Sequence, residues 1–219
     1  MFIGHFAVGF GSKKFAPGTS LGTLFLAASF ADALWPILVL SGVERVRVDP
    51  GNTRFTPLDF VSYPWSHSLV MDLLWATAFA LVYFLVRNYR AGAIAVWICV
   101  LSHWILDFVT HRPDMPLSPW SSRKLGLGLW NSVPGTLAAE SLMFLLGVFL
   151  YVRSTQARDR TGTWALWGLV AVLVGLYAAA SAGTPPPSDR VVAGADLGGV
   201  LLIVWAYWVD GHRRAVQAS

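Results

Sequence analysis

The chain has 219 residues, of which 55% are hydrophobic and only 13% charged, with eleven Trp. Soluble domains carry roughly a quarter charged residues, so long apolar blocks at this charge density exclude an ordinary soluble domain and mark a polytopic membrane protein. The net charge of +4 is scattered between those blocks with no basic run longer than two, which excludes a nucleic-acid-binding stripe and fits membrane flanks.

In chain order, residues 1–11 read as a short amphipathic or re-entrant helix. Six apolar blocks follow, near residues 20–42, 68–86, 91–110, 134–152, 163–182 and 194–209. Each approaches the roughly 20 residues that cross the hydrocarbon core as a helix, the element that satisfies its own backbone in lipid. The expected fold is therefore all-α, with about six transmembrane helices. Residues 21–40 are too long and too rich in Trp and Pro for a signal-peptide core, and no small-residue cleavage site follows, so they read as a retained span. Trp35-Pro36 is expected to perturb that helix.

The segments 43–67 and 111–133 are long loops rich in turn signals. Spans two and three separate them, which puts both on one side. The short connection 87–90 makes those two spans an antiparallel hairpin. Residues 183–190, with three consecutive prolines, form a stiff connector. The single cysteine, Cys99, lies inside an apolar block and reads as a buried structural thiol. Trp65, Trp120, Trp130 and Trp208 read as interfacial anchors. Placing both termini in the cytoplasm leaves nine Lys and Arg on the inside and seven outside, a bias toward that orientation.

The segment His103-Trp-Ile-Leu-Asp107-Phe-Val-Thr-His111 ends the third span. Spacings of four and four put its three metal-type side chains on nearly one helix face. Ionisable groups at that depth are costly, so a functional site is the default reading. The hairpin brings His67, at the start of span two, to the same end. Asp32 adds a carboxylate from span one and His5 an imidazole from the N-terminal segment. Imidazole with carboxylate suits Zn²⁺ or another divalent transition metal, in one or two ions, and Asp107 between two histidines is placed to bridge. Such a centre can bind a phosphoryl oxygen and ionise a water near neutral pH.

Other groups take supporting places. Glu140 in the first turns of span four starts on the site side and is a candidate ligand or general base, so Asp107 and Glu140 are the expected catalytic carboxylates. Arg112, Arg123 and Lys124 are candidates for holding a substrate phosphate, or else snorkelling flank residues. Asp72 lies five residues after His67 and points to a different face, which suits helix packing or an outer shell. Asp196 reads as helix-entry chemistry, and His212 as a surface residue of the tail.

Phe-Ile-Gly-His5, Asp32, Ser66-His67-Ser68 and Ser102-His103-Trp-Ile-Leu-Asp107 resemble the bacterial membrane-bound metal-dependent hydrolases of the YdjM-like (LexA-binding, inner-membrane) type. That family in turn resembles the zinc-dependent phospholipase C and single-strand nuclease superfamily. The resemblance spans roughly residues 1–150 and implies a metal-site region of residues 1–153, followed by two further helices in 154–219. It implies a zinc site of Asp32, His67, His103 and a bridging Asp107, with His5 on an adjacent metal, in the bacterial inner membrane. Two features depart from the superfamily pattern. A downstream His-x₃-Glu pair is absent, leaving Glu140 with His111 to stand in, and Met1 precedes Phe2 where soluble members use a free N-terminal amine.

Three functions stay open on sequence. The first is a hydrolase that cleaves a phosphoester, with membrane lipid as its partner, a lipid phosphate as its substrate and no nucleic acid. The second is a transporter that uses the same carboxylates and histidines, against which the lack of an internal repeat argues. The third is a membrane scaffold with a structural metal.

Overall fold

The computed structural model describes residues 1–216. The all-α membrane architecture expected from the apolar blocks is what is found, with five helices long and apolar enough to cross a membrane and a sixth span formed by a bent pair. The chain opens with α1 (Ile3–Ser12), a ten-residue helix. At about 1.5 Å per residue this is roughly half a membrane span. Its Ile3, Gly4, His5, Phe6, Ala7, Gly9 and Phe10 are all buried. The segment is helical as expected, and α1 packs among neighbouring helices rather than lying on a surface. Its main partner is α7, where a Cβ at Gly147 would collide with the backbone of Ala7. Glycine there is what lets the two backbones touch.

The first apolar block forms α2 (Leu21–Ala28) and α3 (Phe30–Leu40), bent by 55°. The expected perturbation at Trp35-Pro36 is misplaced, because Pro36 is accommodated within α3. The break is at Ser29, whose hydroxyl donates to the Phe25 carbonyl oxygen at 2.7 Å. This local side-chain bond competes with the helical pattern, and the Ala28 carbonyl is left for another donor.

A hairpin of β1 (Arg45–Val48) and β2 (Leu58–Ser62) leads into the single turn α4 (Pro64–His67). The long hairpin is α5 (Leu69–Arg87) and α6 (Arg90–Thr110). Ser68 caps α5, and Asn88, at φ 47°, reverses the chain into α6. The second long loop pairs β3 (Met115–Pro116) with β4 (Lys124–Leu125) and ends in a 3-10 turn (Leu129–Asn131). As expected, the two long loops share one side: the Phe55 amide donates to the Trp130 carbonyl, and the Val70 amide to that of Leu117.

Next come α7 (Val133–Ser154) and α8 (Arg160–Ala182). The last span is α9 (Asp189–Leu197) followed by α10 (Gly199–Gly211). Short strands β5 (Thr155–Ala157) and β6 (Arg213–Ala215) pair at the opposite end from the long loops. Asp196 sits at the far end of α9 from its start, so the helix-entry reading is corrected: Asp189 occupies the first turn. Cys99 is buried as expected and its thiol donates to Ser12 Oγ. Leu81, Val82, Leu85, Val86, Leu145 and Leu201 are exposed on the outer helix faces, the distribution a lipid environment favours.

Candidate metal centre

The bundle end beneath the two long loops gathers His5, Asp32, His67, His103, Asp107 and His111. All except Asp32 are buried; the Asp32 side chain keeps 35% of its surface open. His67 Nε2 and His103 Nε2 are 3.3 Å apart. Asp32 Oδ1 is 3.5 Å from each of them. Asp107 Oδ2 lies 3.3 Å from His103 Nε2 and 3.9 Å from His67 Nε2. The other oxygen, Asp107 Oδ1, faces His5 Nε2 at 3.1 Å and contacts the Met1 amine. Two triads therefore have ligand-type atoms close enough to share an ion: Asp32, His67 and His103, and His5, His103 and Asp107.

Surrounding groups fix the imidazole tautomers. His103 Nδ1 lies 2.9 Å from the Ala28 carbonyl oxygen, the one left by the break at Ser29. A carbonyl only accepts, so Nδ1 carries a proton, and in the neutral ring Nε2 presents a lone pair. Ser66 Oγ donates to Glu44 Oε2 at 2.6 Å and therefore accepts from His67 Nδ1 at 2.7 Å. Glu44 Oε1 is held in turn by the Trp65 and Ser66 amides. In the neutral ring His67 Nε2 likewise presents a lone pair. The two Nε2 atoms face each other beside two carboxylates, an arrangement suited to a cation, either a shared proton or a metal ion.

His111 lies just past the end of α6 but is buried, and its Nε2 is 3.8 Å from Asp107 Oδ2. Its Nδ1 donates to Asp114 Oδ1 at 3.0 Å, and Tyr63 OH donates to the same oxygen at 2.9 Å. Trp130 packs against the imidazole, with ring centroids 4.2 Å apart and the planes tilted by 40°. Trp130 is buried, so its reading as an interfacial anchor is corrected: the 3-10 turn folds it inward as a wall of the site. Trp65, Trp120 and Trp208 remain exposed. Burial alone would raise the Asp114 carboxyl, but its bonds from His111, Tyr63 and Arg112 outweigh that and hold it below the usual carboxylate range. Burial, then the Asp114 charge, pushes the Tyr63 phenol well above its ordinary value, so it stays a donor.

Glu140 is fully buried on α7. Its Oε2 accepts the Phe2 amide at 2.9 Å and the Gly4 amide at 3.2 Å, which seats the start of α1; Oε1 has no protein partner among the described residues. Asp72 is buried between α5 and α6, where Oδ2 accepts the Trp104 amide. Arg112 is engaged by Asp59 and Asp114. Arg123 and Lys124 lie on the exposed loop surface. Asp196 reaches the centre from an unexpected direction: α9 packs along α3 and brings it within Coulombic reach of Asp32 and His103.

Sequence reasoning missed Glu44, Ser66 as a relay, Tyr63 and Asp114. The Ser-His pair was a usable signal for Ser66. The other three sit in loops without periodicity.

The family model described as YdjM inner membrane protein matches residues 2–184. The match runs past the expected limit near residue 150 and through α8, leaving α9 and α10 beyond it. No curated protein and no solved structure matches the chain.

Proposed function

Since the chain belongs to the YdjM inner membrane protein family, we propose that it is a multi-span inner-membrane hydrolase that uses divalent metal, zinc first, to cleave a phosphoester carried by a lipid. One observation carries the metal assignment. Tetrahedral zinc with arms of 2.0–2.1 Å needs ligand atoms about 3.3 Å apart. Asp32 Oδ1, His67 Nε2 and His103 Nε2 lie 3.3–3.5 Å from one another, and Asp107 Oδ2 lies 3.3 Å from His103 Nε2 and 3.9 Å from His67 Nε2. His5 Nε2 lies 3.1 Å from Asp107 Oδ1, so a second ion would be held by His5 and Asp107. This arrangement also supports the likeness to the zinc-dependent phospholipase C and nuclease superfamily, as part of the proposal.

Bound zinc supplies Lewis acidity and a water that ionises near neutral pH. The chain's own groups do the rest. Ala28 and the Glu44–Ser66 relay aim the two imidazoles, the outer-shell support that metal ligands usually have. Asp32, the partly open member of the set, marks the side from which substrate approaches. His111, locked by Asp114 with Nε2 toward Asp107, accepts the proton of the attacking water. Glu140 is less suited to that task, because its Oε2 is committed to the start of α1. A lipid phosphate is the substrate class that matches a site embedded in an inner-membrane bundle.

The test combines metal quantification on the purified protein with turnover of lipid phosphomonoesters and phosphodiesters. Stoichiometric zinc together with phosphate or headgroup release, both abolished by His103→Ala, supports the proposal. Intact protein free of metal refutes the metal centre. Zinc-loaded protein without turnover, which unfolds on chelation, makes the metal structural.

A further inference from the structure

A cavity of about 650 Å³ opens at the other end of the bundle, where α1, α5 and α10 end and α2 begins. It is separate from the metal centre: its Lys13 lies eight residues beyond His5, about 12 Å along the helix axis. Five cationic side chains line it, Lys13, Arg87, Arg158, Arg213 and Arg214, against a single carboxylate, Asp210. Lys13 is buried and accounts for that carboxylate, donating to Asp210 Oδ2 at 2.8 Å.

The arginines are left in excess. Arg213 is buried and donates only to neutral acceptors, Thr155 Oγ1, the Thr155 carbonyl and the Gly162 carbonyl. Arg214 donates to Gln156 Oε1. Among the described residues, neither they nor Arg87 and Arg158 form an ion pair with a carboxylate; the nearby Asp159 pairs with His212. Uncompensated cations at a partly desolvated site favour an anion, and guanidinium forks suit phosphate oxygens.

The remaining wall says what the anion is attached to. Phe79, Val82 and Val86 of α5 also line the cavity, and Val82 and Val86 are 59% and 75% exposed on the outer face of a membrane-spanning helix. One cavity thus joins a cationic floor to an apolar flank open to the acyl region. Basic pockets between helices at the membrane boundary suit anionic lipid headgroups, and this volume lies within the ordinary range of ligand sites.

We propose that this cavity binds an anionic phospholipid, with its phosphate on the arginines and an acyl chain along Val82 and Val86. The proposal is independent of the metal centre.

The experiment uses the full chain in non-ionic detergent and compares phosphatidylglycerol, phosphatidylcholine of matched acyl chains, and inorganic phosphate, read by native mass spectrometry and thermal shift. Phosphatidylglycerol should be retained at least tenfold more than phosphatidylcholine. That preference should fall to near unity in an Arg158→Glu/Arg214→Glu variant, fall partly in Arg158→Gln/Arg214→Gln, and persist in Arg54→Glu, an exposed charge in the β1–β2 loop. Both arginines of the double variants are exposed, so elution volume and unliganded melting point serve as folding controls. Equal retention of the two lipids overturns the proposal, as does an unchanged preference in correctly folded double variants. Stabilisation by inorganic phosphate equal to that by phosphatidylglycerol overturns the lipid assignment in favour of a free-anion site.

Discussion

His67 Nε2 and His103 Nε2 face each other at 3.3 Å while both Nδ1 hydrogens are already donated, to Ser66 Oγ and to the Ala28 carbonyl. Neither ring can rotate its N–H toward the other without breaking a buried bond. Both Nε2 atoms are thereby left to face a common point, the geometry that the proposed metal site would use.

The Glu44–Ser66–His67 relay should govern metal affinity without contributing a ligand. Ser66→Ala, and separately Glu44→Gln, should weaken zinc binding by roughly 10–100-fold. A competition titration against a chromophoric chelator measures this. Unchanged affinity in both variants would remove the relay from the account.

His111 is assigned to proton transfer. His111→Ala should keep its zinc and lose roughly 10²–10⁴-fold in turnover of a lipid phosphoester. Metal content and rate are read on the same sample. Loss of zinc in parallel with activity would make His111 a ligand instead.

Insertion of α1 depends on Gly147. Gly147→Val would drive a side chain into the backbone of Ala7, and overpacking of this kind costs about 1–3 kcal/mol. The melting temperature should drop. Protection from hydrogen exchange over α1 should fall more than over the α5–α6 hairpin. Uniform loss of protection would show that α1 is not an independently docked element.

Asp114 carries a pH dependence. Its carboxyl is depressed in the folded state by the contacts with His111, Tyr63 and Arg112. A depressed acid contributes stability above its unfolded value, about 3.9, and that contribution disappears as pH falls through the folded value. The loop joining α6 to α7 should therefore stay protected from neutral pH down to about 4 and open below it. Asp114→Asn should open the loop already at neutral pH. Amide exchange across residues 111–132 distinguishes the two.

The apolar blocks and the short 87–90 turn made the α5–α6 hairpin legible, and with it the meeting of His67, His103 and Asp107. The four-residue spacing fixed which face of α6 carries them. What stayed hidden depended on backbone rather than side-chain pattern. The break at Ser29 exposes a carbonyl, and no periodicity distinguishes Ala28 from the alanines around it. Pro36 was the visible irregularity, yet α3 absorbs it. Trp130 resembled an anchor because its burial comes from a 3-10 turn after Gly128, at φ 75°, in a loop with no repeat. Asp196 approaches Asp32 through the packing of α9 on α3, a contact across more than 150 residues of chain.

The most direct measurement is X-ray absorption at the zinc edge on protein purified without chelators. The account predicts stoichiometric zinc bound by about four nitrogen and oxygen atoms at about 2.0–2.1 Å, including imidazole scattering that diminishes in His103→Ala. Folded protein without zinc or another divalent metal, or a first shell unchanged by that substitution, would contradict it.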